Sequence, residues 1–389
     1  MNNPAPVDAP PSDFTPLPLL ADPGGYRACR WDLAQLPEER AYWLSLFRRH
    51  FEKLVACSLE ESAERGVPPE VSGAKLTRAR SLFFAWLDRA EANPADVAGP
   101  DGRLAILDIC TTREDALRRF DIPDPYRLAK VEANAQAEPL YAGLVTHHDA
   151  LADNDRGIAV LRGLFAGNIF DLGADETIKL FESGDAGFHA ALRRLKPRPW
   201  LYDDADAWLE RLRIDPPKQT LIFVDNAGPD IVLGAIPFAR DLIQRGGRVV
   251  LTANPEPSLN DITHHELVEP GGLLDRLSIA DPFLGKAITE GKLRCVPSGC
   301  RTPLIDLSKV SVELADEVQA HPPDLVVLIG MGRGIESNFD AVFTCPVLRT
   351  AMLKDLGVAR GLGRPETAGV PARKAELFDL VLRYAEPDR

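Results

Sequence analysis

The sequence is short of positive charge and has no long apolar run, and each shortage closes off a class of function. Its 389 residues carry 45 Lys and Arg against 58 Asp and Glu, a formal net charge of −13. Such an acid excess has no overall attraction for phosphate backbones or anionic lipid, so neither nucleic acid nor a membrane surface is expected as a partner. A bound phosphate would have to be held locally, by a metal ion, helix N-termini or a few Lys and Arg. The apolar run Ile231 to Ala239 is stopped by Asp230 and Arg240, far short of the roughly 20 residues of a membrane span. The first residues, MNNPAPVDAPPSDF, have neither a basic n-region nor an apolar h-region, so no signal peptide and a cytoplasmic location are expected. Of the 6 cysteines only Cys295 and Cys300 lie close, with no second Cys/His pair at zinc-ligand spacing. Reduced thiols are expected.

At roughly 150 residues per domain, the length suggests two to three domains. Pro4, Pro6, Pro10, Pro11, Pro16, Pro18 and Pro23 predict an extended arm over residues 1–23, closed to helix and to sheet ladders. Residues 24–214 read as an all-helical domain with no strand. Trp43, Leu44, Phe47, Phe51 and Leu54 recur at helical spacing behind Pro37, and a second helix is expected near Lys75 to Ala92. Thr112 to Asp115 reads as a helix start, and Asp124-Pro125 as another. From Asp215-Pro216-Pro217 the character changes. Thr220 to Val224, Arg248 to Thr252, Leu293 to Pro297 and Leu325 to Ile329 are continuous apolar strands. Helical stretches alternate with them: Asp230 to Gln244, Leu273 to Thr289 and Val310 to Gln319. That alternation predicts an α/β fold over residues 215–389, a mostly parallel sheet with helices on both faces, whose ligands sit at the carboxyl ends of the strands.

The polar residues after each strand are therefore the candidates. Asp225-Asn226-Ala227-Gly228-Pro229-Asp230 offers oxygens that suit a hard divalent cation, just before a helix N-terminus able to take an anion. The same residues are what a strand-to-helix turn prefers, and Asp230 reads as a cap only. A second polar loop runs from Asn254 to Asn260-Asp261. If the two strands are neighbours, Asp261 faces Asp225 and Asn226, and three oxygen donors suffice for one metal. His264 and His265 follow, one of them expected at the surface. Gly330-Met331-Gly332-Arg333-Gly334-Ile335 invites a dinucleotide reading, but Ile335 stands where the third glycine belongs and the strand is a late one. A glycine turn with Arg333 can instead hold a phosphate. In RGLFAGNIFDLGA, Asn168 and Asp171 interrupt an apolar run and predict a bend.

The block FVDNAGPDIVLGAIPFARDLIQRGGRVVLTANPEPSLNDITHHE resembles the signature region of the damage-control metal-dependent phosphatases, the domain of unknown function 89 family. PLPLLADPGGYRAC, FDIPDPYRLAKVEANAQA, RGLFAGNIFDLGAD and DLVVLIGMGRGIESNF agree in order, so the likeness spans nearly the whole chain. It is strongest to the subfamily of free-standing plant proteins and pantothenate-kinase fusions. The resemblance implies a three-layer α/β/α core with an N-terminal helical domain. It implies an enzyme, a metal-dependent phosphomonoester hydrolase for small phosphorylated metabolites, 4′-phosphopantetheine or its oxidised or sulfonated forms. One divalent cation (Mn, Ni, Co or Mg) would be held by Asp225, Asn226 and Asp261, with Asp225 and Asp261 in catalysis. Asn168, Asp171, Gly330, Gly332, Arg333 and Lys354 would lie around the phosphate. Either a water or the Asp225 carboxylate would attack phosphorus. The subfamily motif Glu-Gly-Met-Gly-Arg departs here in one residue, Ile329 standing for the glutamate. The alternative reading is a phosphometabolite-binding or regulatory protein that lost turnover through that change.

Overall fold

The computed structural model describes residues 14–169, 187–366 and 371–387. Its strands are β1 (Phe14–Thr15), β2 (Tyr202–Asp203), β3 (Gln219–Phe223), β4 (Arg248–Ala253), β5 (Leu293–Pro297), β6 (Val310–Ser311), β7 (Leu325–Ile329), β8 (Val347–Met352) and β9 (Leu380–Ala385). β1 pairs with β6, and the rest form one sheet in the order β2-β9-β8-β7-β3-β4-β5. β8, β7, β3, β4 and β5 run parallel, β9 is antiparallel to β8, and β2 follows β9. The alternation of side chains explains the unbroken apolar runs. Leu221 and Phe223 join one buried cluster with Val326 and Leu328, while Ile222 and Val224 join the opposite one with Val327 and Ile329. A strand buried on both faces has no polar side to show.

The chain order turns back at β3. It proceeds outward through β4 and β5, then returns to place β7 against the other edge of β3. Crevices for ligands form where the strand order reverses, so the residues that follow β3, β4 and β7 share one end of the sheet.

Among the helices that precede the sheet are α1 (Pro37–Glu64), α2 (Pro69–Ala92), α3 (Ile106–Arg119), α4 (Arg127–Ala150) and α5 (Asp153–Asn168). Their apolar stripe does not close on itself. Phe47, Phe51 and Phe83 belong to the same buried cluster as Leu304, Ile335, Ala351 and Leu353, so the core runs across the change of secondary structure at residue 215.

Several expectations are corrected. The proline-rich arm does enter a ladder, because Phe14 and Thr15 are free of proline; Leu17 then donates its N–H to Leu307 O at 2.8 Å and is fully buried. The region expected to lack strands contributes β2. α3 starts at Ile106, with the Asp108 carboxylate accepting the Ala105 N–H at 2.7 Å, so Thr112 lies mid-helix. The stretch Leu273 to Thr289 breaks at Asp281, whose carboxylate caps the second helix by accepting the Phe283 N–H at 3.0 Å. β8 and β9 lack the unbroken apolar run of the central strands: β8 carries the buried Arg349 and Thr350 in its middle, and β9 is antiparallel and shows one half-exposed end. Among the described residues no helix is long and apolar enough to cross a membrane.

α5 runs to Asn168, and most of the rest of the stretch in which a bend was expected lies outside the described residues; the end of this helix packs backbone to backbone on the wide π-helical turn Asp230–Ala235 after β3. A Cβ on Gly167 would meet Pro229 O at 2.7 Å and Asp230 Cα at 2.8 Å. In an open helix, Gly→Ala stabilises by about 1 kcal/mol. Here Gly167→Ala is expected to lower stability instead, by about 1–3 kcal/mol, since rigid backbone must move. A urea midpoint at or above that of the unaltered protein would contradict this contact.

Candidate metal centre

The loops after β3 and β4 are zipped together. Ala227 donates its N–H to Asn260 O at 2.9 Å, Ile262 donates to Asp225 O at 3.1 Å, and Asn226 and Asp261 form an antiparallel bridge. Asp225, Asn226 and Asp261 thus meet, 8%, 4% and 2% exposed. Their backing comes from α4: Asn134 Oδ1 accepts the Gly228 N–H at 2.6 Å and Lys130 Nζ donates to Asp261 O at 3.4 Å. Asp261 is not a helix cap, because Thr263 caps the next helix, its hydroxyl accepting from Glu266 N–H at 3.2 Å. Leu259, two residues before Asp261, has φ +49°, a strained region for a bulky side chain that stores of order 1–3 kcal/mol. His265 is the exposed histidine of its pair.

The loop after β7 completes the cluster. Gly330 has φ +93°, and a Cβ there would fall inside the Asp225 carboxylate; this glycine makes room for an acid. The same placement speaks against a dinucleotide cradle, since the space a phosphate would need over this glycine is filled by the Asp225 carboxylate. Arg333, 1% exposed, donates from one guanidinium nitrogen to Asp225 Oδ1 and from the other to Asp261 Oδ2 at 2.8 Å. It spans the two acids.

Three amides donate to the acids as well. Asn168 Nδ2 donates to Asp225 Oδ2 at 3.0 Å and to Asp230 Oδ2 at 2.9 Å. Asn226 Nδ2 donates to the same two atoms at 3.1 and 2.9 Å. Asn254 Nδ2 donates to Asp261 Oδ2 at 2.9 Å. Lys354, 3% exposed, donates to Asn168 O at 2.7 Å. Asp230, expected only to cap, is instead a fully enclosed member of the cluster; burial first, and then the Asp225 charge, push its carboxyl up to about 6. An Asp before a helix looks alike in sequence whether it caps or is buried under a second acid, and Asn254 carried only its position after β4 as a signal. Asp171 lies outside the described residues. Ile329 is fully buried in the apolar cluster beneath the site, with Val224 and Met352.

Asp225, Asn226, Asp261, Gly332 and Lys354 line one side of a cavity of about 230 Å³. Asn168, Gly330 and Arg333 stand behind them and do not line it. Among the described residues no three His, Cys, Asp or Glu side chains form a ready metal cluster, so a cation here would rest on two carboxylates and an amide, the mixed oxygen set that suits a hard divalent ion. Two observations fit such an ion. Three buried carboxylates (Asp225, Asp230, Asp261) face two buried cations, Arg333 and Lys354. Asp230 Oδ1 and Asn168 Oδ1 are buried without a hydrogen-bond partner, a costly state that neighbouring positive charge relieves. Removing the bridging guanidinium should expose that excess: Arg333→Met is expected to destabilise the metal-stripped protein by about 3–5 kcal/mol. Chemical denaturation would read this, and a variant as stable as the unaltered chain would show that Arg333 does not hold the acids.

Comparison with known proteins gives the family. Residues 51–370 match the model of the damage-control phosphatase ARMT1-like domain. The chain is 35% identical over 386 residues to damage-control phosphatase At2g17340 of Arabidopsis thaliana, covering 96% of this chain and 98% of that protein. It is 31% identical to the 4′-phosphopantetheine phosphatase of Mus musculus, over 96% of this chain but 49% of that longer protein. In fold it resembles a DUF89 family protein of Pyrococcus horikoshii, with a TM-score of 0.57 at 15% identity over 88% of this chain and 96% of the other. The chain therefore belongs to the ARMT1-like damage-control phosphatase family, a family of metal-dependent phosphomonoester hydrolases.

Proposed function

We propose that the chain hydrolyses small phosphorylated metabolites, with 4′-phosphopantetheine or its oxidised or sulfonated forms as substrate, using one divalent cation held by Asp225, Asn226 and Asp261. The observation that carries this reading is the convergence of those three side chains from two neighbouring strand ends on one cavity. The substrate is suggested by the mouse relative's name. An all-oxygen donor set favours Mg²⁺ or Mn²⁺, with Co²⁺ and Ni²⁺ as further candidates.

A cation bound there supplies a Lewis acid that neutralises charge developing on the phosphoryl oxygens. The protein does the rest by position. Arg333 fixes the two acids relative to each other through a forked pair of bonds. Lys354, tied to Asn168 and lining the cavity, brings a positive charge to the ester end. Asp225 is a poor nucleophile in this setting. One oxygen accepts from Arg333 and the other from two amides, so swinging the carboxylate onto phosphorus would have to break that network. Water is the attacking oxygen in our reading. The binding-only alternative, motivated by Ile329, gains no support, because that side chain is enclosed in apolar packing and the acids and amide are all present.

Phosphate release from 4′-phosphopantetheine, measured with Mg²⁺, Mn²⁺, Co²⁺ and Ni²⁺ in turn, should vanish with EDTA and return with metal. Asp261→Asn should lower kcat by about 10²–10³, the scale of losing one preorganised electrostatic group, with an unchanged circular dichroism spectrum; full turnover in that variant would refute the assignment. A phosphorothioate analogue of the substrate, made chiral at phosphorus with the two heavy oxygen isotopes and hydrolysed in ordinary water, should give inorganic thiophosphate of inverted configuration, as one displacement by water requires. Retention would mean two displacements and a covalent Asp225 intermediate.

A further inference from the structure

The cavity has two unlike ends. Its acids, amide and lysine gather where the sheet ends, whereas the facing wall is one stripe of α1: Trp43, Leu46 and Phe47, 5%, 8% and 4% exposed. The spacing of 43, 46 and 47 is that of one helical face. The aromatics brace each other, Tyr42 edge-on to Trp43 with ring centroids 5.6 Å apart and Trp43 to Phe47 at 6.4 Å. Ile106 of α3 and Leu304 extend the wall. It is fixed to the catalytic end, not merely opposite it. The Tyr42 hydroxyl donates to Asp355 Oδ2 at 2.7 Å, and Asp355 directly follows Lys354 while accepting the Gly357 and Val358 N–H groups at 2.7 and 3.0 Å. Arg49, His50 and Glu336 also line the cavity; Arg49 donates to Ser45 Oγ at 2.8 Å, Asp355 has its three partners, and Arg113 donates to Glu114 Oε1 at 2.6 Å. The stretch of Trp43, Leu46, Phe47, Ile106 and Leu304 itself presents apolar side chains, and sugar hydroxyls pressed against it would lose the hydrogen bonds they have in water.

We propose that Trp43 and Phe47 are specificity-determining residues, and that they select phosphomonoesters whose carried group is uncharged and apolar next to the phosphate, over sugar phosphates. This rests on the phosphatase reading above and adds to it the part of the site that reads the organic half of the substrate. Seating the phosphate among Asp225, Asp261 and Lys354 lays the carried group along the α1 stripe. Each methylene buried there contributes to binding and not to the chemistry, so its effect falls on KM.

The test uses the full chain with Mn²⁺ and a series of n-alkyl phosphates from methyl to hexyl, with ribose 5-phosphate and glucose 6-phosphate alongside. kcat/KM is expected to climb about fourfold per methylene while the chain is being buried, through KM, and both sugar phosphates should fall below butyl phosphate. Trp43→Ala and the milder Phe47→Leu should flatten that slope. A general structural loss would lower every ester by one factor and leave the slope intact, so a retained slope in both variants overturns the assignment of these residues. A flat series in the unaltered protein, or a preference for the sugar phosphates, overturns the apolar selection while leaving the phosphatase reading standing. No phosphate from any ester with any cation would remove that reading, and this inference with it.

Discussion

Like charges crowded out of water are the constraint on which this molecule is organised. Asp225, Asp230 and Asp261 lie together at the end of the sheet, all but enclosed. Isolated buried carboxylates are strongly unfavourable, and such groups persist only where partners are supplied. The fold supplies them from four directions. Arg333 comes from the turn after β7, Asn168 from the end of α5, Asn254 from the end of β4, and Lys354 from the end of β8. Remaining acid excess and the unpartnered Asp230 and Asn168 oxygens are what a divalent cation would use.

Geometry elsewhere serves that cluster. Two wide π-helical turns, Asp230–Ala235 and Gly332–Ser337, follow the two strands that flank the reversal of strand order. Turns of this kind recur at functional sites because they re-aim side chains that a regular helix would carry away. The first brings Asp230 under Asp225. The second turns Arg333 inward and leaves Gly332 on the cavity. Gly167 and Gly330 admit close approaches for which any side chain is too large. Leu259 carries its strain beside Asp261. The substrate selection proposed for α1 is coupled to this cluster, since Tyr42 ties that helix to Asp355 beside Lys354.

The central strands were legible because burial on both faces leaves an unbroken apolar run, as in Leu325–Ile329, whose ends are those expected from sequence. Asp225, Asn226 and Asp261 could be grouped in advance because a parallel sheet puts strand-end loops side by side; only the adjacency of β3 and β4 had to be assumed. Other features depend on tertiary context. Asp230 precedes a helix, which in sequence means a cap. Arg333 looked like an anion binder because an arginine in a glycine turn gives no sign of whether it meets a phosphate or two carboxylates. Gly330 looked like backbone for an anion and proves to be clearance for Asp225. The α1 stripe was legible as an apolar face, and an apolar face has the same spacing whether it packs on a core or lines a cavity. β1 escaped notice because proline density in the arm outweighed two residues able to pair.

The central claim is that Asp225, Asn226 and Asp261 grip one cation at the reversal of strand order. Anomalous X-ray diffraction from crystals grown with Mn²⁺, recorded at the manganese edge, tests it most directly. One strong anomalous peak is expected on the cavity side of the sheet, within coordination distance of an oxygen from each of those three residues. A peak anchored on other side chains, or a fully occupied substrate site with no peak in that cluster, would contradict it.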